Sequence, residues 1–247
     1  MKAFFIPKKK GIFEHPDLTK NIIIMNKVFL FVLLTASFVL QGACQSNSKK
    51  EVSNLKNQTP VQVKSQDGFK RAYFASGCFW CVEAIYESVK GVKESISGYS
   101  GGHTKKPTYE ESNTGRTGHA EAVEIIYDPN IISFKVLVDI YFASQNITQI
   151  NGQGNDIGSQ YRSILFYQND EEKKIIDEKI SVLNKQLKHG KVAAEVMPFQ
   201  KFWVAENYHQ NYEKLHPNNP YIQNVSIPRL KKFQKRHPEL LKENEKH

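Results

Sequence analysis

The stretch from Arg71 to Gly91, RAYFASGCFWCVEAIYESVKG, changes its period at one point. Residues 71–76 form a short apolar run that reads as a buried strand, and Gly77 closes it. From Cys78 the pattern turns helical. Val82, Ile85, Tyr86 and Val89 recur at the spacing of one helix face, and Gly91 ends the run. Cys78 therefore stands at a strand-to-helix turn. There the helix dipole and unpaired backbone N–H groups favour an anion and lower a thiol's pKa. Cys81 lies one turn further along the same face, within disulfide reach. Between the two thiols stand Phe79 and Trp80. Rings beside a reactive sulfur suit a substrate with an apolar part; they also suit plain anchoring of the helix in a core.

Downstream, strand and helix patterns alternate irregularly. HAEAVEIIYD, 119–128, alternates as a strand with Val123, Ile125 and Tyr127 on the buried face, and Glu121 shares their parity. SFKVLVDIYFAS reads as a helix with Phe134, Leu137, Val138 and Tyr141 on one side. YRSILFYQ is a strand begun by Tyr161, and 170–188 is an amphipathic helix with an acidic first turn. AAEVMPFQKFWVA is a strand pair or a strand and turn, and ENYHQNYEKLHPNNP is a short helix stopped by prolines. Two Gly-rich polar stretches, 97–118 and 149–160, read as long loops of the kind that carries function. The expected fold class is α/β (α+β): a two-layer sandwich with helices packed on a central mixed sheet.

The formal charge of +9 sits at the ends of the chain, because residues 71–225 hold 16 Lys/Arg against 18 Asp/Glu. A basic nucleic-acid reading face on the folded body is thereby disfavoured. The chain divides into an N-terminal extension 1–24, explained by an early start or a cytoplasmic segment; a signal-like segment 25–44; a polar, flexible linker 45–70; a catalytic domain 71–225; and a basic C-terminal tail 226–247. The apolar run Val28–Leu40 is too short for a comfortable membrane span and suits a signal-peptide core. Leu40-Gln41-Gly42-Ala43-Cys44 resembles a bacterial lipobox, with Leu40 one place farther from the cysteine than usual. Cys44 then carries lipid and anchors the chain in the cell envelope outside the cytoplasm; the other reading is an ordinary cleaved signal. If Cys44 carries lipid, only Cys78 and Cys81 remain, a lone vicinal pair too few for a disulfide framework.

Taken singly, several residues have two readings. A carboxylate on a buried strand face has a raised pKa and suits a general acid, so Glu121 is either that or an ion-pair partner of an Arg. Tyr109 and Tyr161 read as half-buried tyrosines able to supply hydroxyl donors. Asp156 reads as a turn residue bonding the local backbone, and His209 as a helix-surface residue. Together, GCFWCVE at 77–83, GYSGG at 98–102, PTYEE at 107–111, TGHAEAVEIIYDP at 117–129, GQGNDIGSQYRS at 152–163 and ENYHQNY at 206–212 resemble the A-type peptide methionine sulfoxide reductases. The subgroup resembled has a second cysteine in place of the glycine after the Trp. The likeness runs in order over about 71–240.

What that resemblance implies is specific. Cys78 is the attacking thiolate, Phe79 and Trp80 hold the sulfoxide's methyl group, and Glu121 protonates its oxygen. Tyr109, Asp156 and Tyr161 bind and polarise that oxygen. Substrates are the S epimer of methionine sulfoxide, free or in oxidised proteins and peptides. Cys78 becomes a sulfenic acid, Cys81 condenses with it, and a thioredoxin-like protein reduces the disulfide. No metal or organic cofactor is implied. Gln145-Asn146-Ile147 departs from the His-Asp-Pro of many relatives. The rival reading is a thioredoxin-type CxxC disulfide oxidoreductase, which normally carries small or polar residues between its thiols and has no use for Glu121.

Overall fold

The computed structural model describes residues 54–245. The signal-like segment, Cys44 and the start of the linker lie outside the described residues. Strand β1, Lys70–Ala75, leads into helix α1, Phe79–Glu87. There follow β2, Val92–Ser100; α2, Tyr109–Asn113; β3, Ala120–Tyr127; and α3, Phe134–Ala143. A small hairpin of β4, Gly152–Gln153, and β5, Asp156–Ile157, precedes β6, Ile164–Tyr167. Then come α4, Asp170–Gln186; β7, Glu195–Pro198; β8, Phe202–Val204; α5, Tyr212–Leu215; and α6, Ile227–Arg236.

The main sheet has the order β7-β6-β1-β3-β2-β8. Its pairs are antiparallel except β6 with β7, which α4 connects in parallel, so the sheet is mixed as expected. The strand pair expected in 193–205 is not a hairpin: β7 and β8 form opposite edges of the sheet. Only Phe199–Lys201 separate them. Four Cα steps reach at most about 14 Å, whereas six flat strands span roughly 24 Å. The sheet must therefore curl until its edges approach. The inner face of the curl is lined with small residues, Ala75, Ala120 and Ala122, and is filled by the rings of Tyr73, Phe166, Phe199 and Phe202. Tyr73 stacks on Phe199 with ring centroids 3.8 Å apart. Gly98 of β2 gives way to that packing, since a Cβ there would lie 2.4 Å from the Phe202 ring.

The outer face carries the helices. Val82, Ile85 and Tyr86 of α1 pack with Val123 and Ile125 of β3 and Leu137, Val138 and Tyr141 of α3. Burying each of these side chains contributes about 1.5–3 kcal/mol. Helix α3 starts at Ser133, whose side chain accepts from Val136 N, and α4 starts at Asn169, whose side chain accepts from Glu172 N.

Several sequence expectations need correction. The loop expected at 97–118 is shorter: 97–100 complete β2, and α2 interrupts the rest. β2 escapes a periodicity reading because both of its faces are partly buried and it ends in Ser97-Gly98-Tyr99-Ser100. Helix α1 ends at Glu87, four residues before Gly91. Residues 54–69 do not behave as a tether. Val61 N bonds Phe199 O, Val63 N bonds Gln168 Oε1, and Lys56 pairs with Glu195. The basic 226–247 stretch is not a trailing tail over its described part, because α6 buries Phe233 and Leu241 bridges to Val89.

Candidate active site

Cys78 is presented by the junction between β1 and α1. Gly77 has φ +75°, and a Cβ there would come within 2.6 Å of Gln153 Cβ, so glycine alone fits the turn. Arg229 of α6 braces the same turn, donating to Ser76 O at 3.1 Å, Ser76 Oγ at 3.0 Å and Ser144 O at 2.9 Å. Cys78 is the N-cap of α1 and is buried. The first helical N–H, that of Phe79, is directed at Glu121 Oε2 rather than at sulfur, at 3.0 Å. The expectation of a lowered thiol at Cys78 is thereby corrected. Burial, then the hydrogen bond and charge of Cys81, push the Cys78 thiol well up. Cys81 moves the other way. Its hydrogen bond with Cys78 pulls it down to about 6 against its burial, helped by the Arg229 charge. In the resting state the two free thiols thus hold one proton, on Cys78.

Glu121 lies on the face of β3 that its parity indicated, 2% exposed. Burial pushes its carboxyl up to about 8, opposed by the Phe79 N–H. It carries a proton at neutral pH. The alternative of an Arg partner is not realised: Arg71 pairs with Glu124, the next residue but two. Tyr109 and Tyr161 both face this centre. Burial raises each phenol first, and the charges of Glu121 and Cys78 act on both. Tyr161 is not the start of a strand, however. It ends a 3-10 turn, Ser159–Tyr161, ahead of β6. Asp156 is more than a local turn former, because its Oδ2 accepts from Tyr221 Oη at 2.6 Å.

Aromatic rings cluster around the first turn of α1. Phe79 is buried against Tyr99, Tyr109 and His209, with centroids 5.9, 6.2 and 4.9 Å away. Trp80 is half-buried and stacks on Tyr212 at 3.8 Å and 7°. His209 contradicts its expected place on a helix surface: it is 1% exposed. The short helix expected within 206–220 breaks at Asn211, φ +55°, into a 3-10 turn, Asn207–His209, and α5. That break turns His209 inward, where its Nδ1 accepts from Trp80 Nε1 at 3.1 Å. Burial lowers its pKa, so it is neutral.

Other contributors went unrecognised in the sequence. Glu83 is buried on α1, accepts from Ser97 Oγ and Asn211 N, and is pushed up to about 7 by burial. Its spacing from Phe79 and Tyr86 marks it as part of the helix's inner face, a signal that was present. Tyr212, Tyr221 and Arg229 carry no such local signal. Among the described residues no group of three or more His, Cys, Asp or Glu side chains is gathered to hold a metal ion.

A buried carboxyl that keeps its proton, a pair of free thiols and a cluster of aromatic rings meet at the start of α1. Over this domain, residues 70–241 match the family model described as peptide methionine sulfoxide reductase. The chain belongs to the A-type peptide methionine sulfoxide reductases. It is 46% identical over 174 residues to the peptide methionine sulfoxide reductase MsrA of Saccharolobus solfataricus, covering 70% of this chain and 98% of that protein. The corresponding protein of Pasteurella multocida is 44% identical over 173 residues, with coverage of 70% and 99%. Methionine sulfoxide reductase A of Corynebacterium diphtheriae superposes with a TM-score of 0.55 at 32% identity, covering 66% of this chain and 84% of that one. Within this A-type reductase fold, the site draws on β1, α1, β3, the β4–β5 hairpin and the segment after β8.

Proposed function

We propose that this chain reduces methionine-S-sulfoxide, free or in oxidised proteins, by way of a Cys78 sulfenic acid and a Cys78–Cys81 disulfide. The observation that carries the reading is the pairing of the Cys78 turn with a carboxyl that keeps its proton, through the Phe79 N–H on Glu121 Oε2. Sulfoxide oxygen leaves poorly until protonated, and Glu121 is an acid that still holds a proton at pH 7. Cys78 attacks the sulfur as its own proton passes to Cys81, and Glu121 protonates the oxygen. Sulfide departs, and the oxygen stays on Cys78 as the sulfenic acid. Phe79 and Trp80 line the apolar wall for the methyl group, the Tyr109 and Tyr161 hydroxyls donate to the oxygen, and Asp156 borders the same site through its bond from Tyr221.

Cys81 then displaces the oxygen as water, forming the disulfide. A thioredoxin-like dithiol reduces the disulfide, and its two protons return to Cys78 and Glu121, leaving Cys81 as the thiolate. The deciding experiment measures methionine formed from a methyl sulfoxide beside reduction of insulin disulfides. Sulfoxide reduction lost in Cys78→Ser supports the reading. Insulin reduction without sulfoxide reduction would establish the thioredoxin-type alternative, in which the buried Glu121 has no task.

Location belongs to the same proposal. The lipobox-like Leu40–Cys44 supports an acylated Cys44 that tethers the enzyme in the bacterial envelope, where it repairs exported proteins. Mass spectrometry of the mature N-terminus tests this, with a lipid-modified Cys44 expected and an intact Met1 overturning it.

A further inference from the structure

Tyr221 touches both Cys81 and Asp156. It precedes the π turn Ile222–Ser226, and Asn219 Oδ1 accepts its backbone N–H at 2.8 Å. Its ring stands edge-on to Trp80, with centroids 6.0 Å apart. Its hydroxyl lies 2.6 Å from Asp156 Oδ2 and 3.7 Å from Cys81 Sγ. A phenol has one proton to give. That proton is donated to Asp156 Oδ2, so the phenol oxygen presents its lone pairs to Cys81. Once the first half-reaction has moved the Cys78 proton onto Cys81, the thiol is the donor. The three groups form a chain from Cys81 S–H through Tyr221 O–H to the Asp156 carboxylate.

We propose that Tyr221 is the catalytic proton carrier of the second half-reaction, passing the Cys81 proton to Asp156 as Cys81 attacks the Cys78 sulfenic acid. This rests on the reading of Cys81 as the resolving thiol. Cys81 is 1% exposed, so its proton has no direct path to solvent. The attacking species must be the thiolate. As the Cys81–Cys78 bond forms, the Cys81 proton moves to the Tyr221 oxygen and the Tyr221 proton to Asp156. The Cys78 S–O bond breaks, and the departing hydroxide takes the proton from Asp156 and leaves as water. Asp156 ends as it began, no outside oxidant or reductant enters, and Tyr221 is never a free phenolate. Burial and the charges of both cysteines keep its hydroxyl strongly protonated, as a carrier requires.

The groups facing Cys81 come from several elements. They are Cys78 at the start of α1, Glu121 of β3, Arg229 of α6 and the Ser226 hydroxyl, besides Tyr221 itself. Glu121 has given up its proton by this stage and is the competing acceptor. Tyr221→Phe separates the two, because it keeps the ring against Trp80 and removes only the hydroxyl.

The test follows one turnover by rapid quench, counting methionine released, sulfenic acid trapped by a carbon nucleophile, and disulfide formed. Tyr221→Phe is expected to release about one methionine per enzyme within about 3-fold of the unmodified rate. Its disulfide should form at least about 10²-fold more slowly, the scale of a lost acid–base group. The slowed step should also quicken with rising pH, because in the sulfenic acid state Cys81 has lost the Cys78 thiol bond that lowered it and must ionise without help. Disulfide formation at the unmodified rate and with the unmodified pH profile overturns the relay and leaves Glu121 as the acceptor. Absence of any Cys78–Cys81 disulfide in the unmodified enzyme overturns the assignment of Cys81 itself, a distinct failure. A second measurement needs no variant. In mixtures of light and heavy water the disulfide step of the unmodified enzyme should show a curved dependence, from more than one proton in flight. A linear dependence overturns the relay.

Discussion

The main-chain N–H of Phe79 donates to Glu121 Oε2 at 3.0 Å, tying the residue after Cys78 to a carboxyl 42 positions away in the chain. The bond settles two things at once. It orients the carboxyl beside the sulfur, and it occupies the helix N–H that would otherwise stabilise a Cys78 thiolate. Thiol and acid thus both keep their protons until substrate arrives.

Glu121→Gln keeps the hydrogen bond from Phe79 but has no proton to donate to the oxygen. The methionine-forming step in single turnover should fall by about 10²–10⁴-fold, with substrate affinity changed far less. In the unmodified enzyme the same step should fade as pH rises through about 8, where the acid form is lost. Equal single-turnover rates for variant and parent would remove Glu121 from the chemistry.

The same carboxyl has a stability signature. Its folded pKa of about 8 lies above the usual carboxylate value, so its contribution is fully present at acid pH and is lost as pH rises through about 8. Glu83, at about 7, acts in the same sense. Thermal unfolding should show Glu121→Gln gaining on the parent between pH 6 and pH 9. For a domain of this size each kcal/mol corresponds to about 2–4 °C in Tm. A constant difference across that range would contradict the burial argument.

Cys81→Ser should release about one methionine per enzyme and then stall with a thioredoxin-like reductant, since no other cysteine follows Cys78 in the sequence. Dithiothreitol, which can attack the sulfenic acid directly, should restore turnover in part. Before any substrate is added, ultraviolet thiolate absorbance should titrate near pH 6 in the parent and disappear at that pH in Cys81→Ser. Persistence of the signal would place the low thiol at Cys78 instead.

Tyr212→Ala removes the ring stacked on Trp80 at 3.8 Å. Such pairs contribute about 0.5–1.5 kcal/mol, so KM for a peptide sulfoxide should rise roughly 2- to 10-fold with kcat little changed. A fall in kcat at constant KM would show that Trp80 is not held for binding.

Much of this was legible in order along the chain. The change of period at Gly77 located Cys78 at a strand-to-helix turn, and the parity of Glu121 with Val123 and Ile125 located its carboxyl on the buried face. Both depend on interactions within a few residues, a repeat of 2 or 3.6 and a glycine with positive φ, which a linear sequence displays. The helices α3 and α4 were readable for the same reason.

What the sequence by itself determined, then, was which segments pair strand with helix, and which side chains turn inward along each. Only the tertiary structure decided who meets whom. Three residues between β7 and β8 look like a hairpin until the sheet's other four strands come between them and force the curl. His209 reads as a surface residue until Asn211 breaks its helix, and the direction of the Cys78 pKa is set first by burial that only the packed fold supplies. Tyr221 meets Cys81 across 140 positions and Arg229 meets Ser76 across 153. Such contacts arise when packed elements converge, and desolvation acts only once they have closed over the site, so neither leaves a period in the chain.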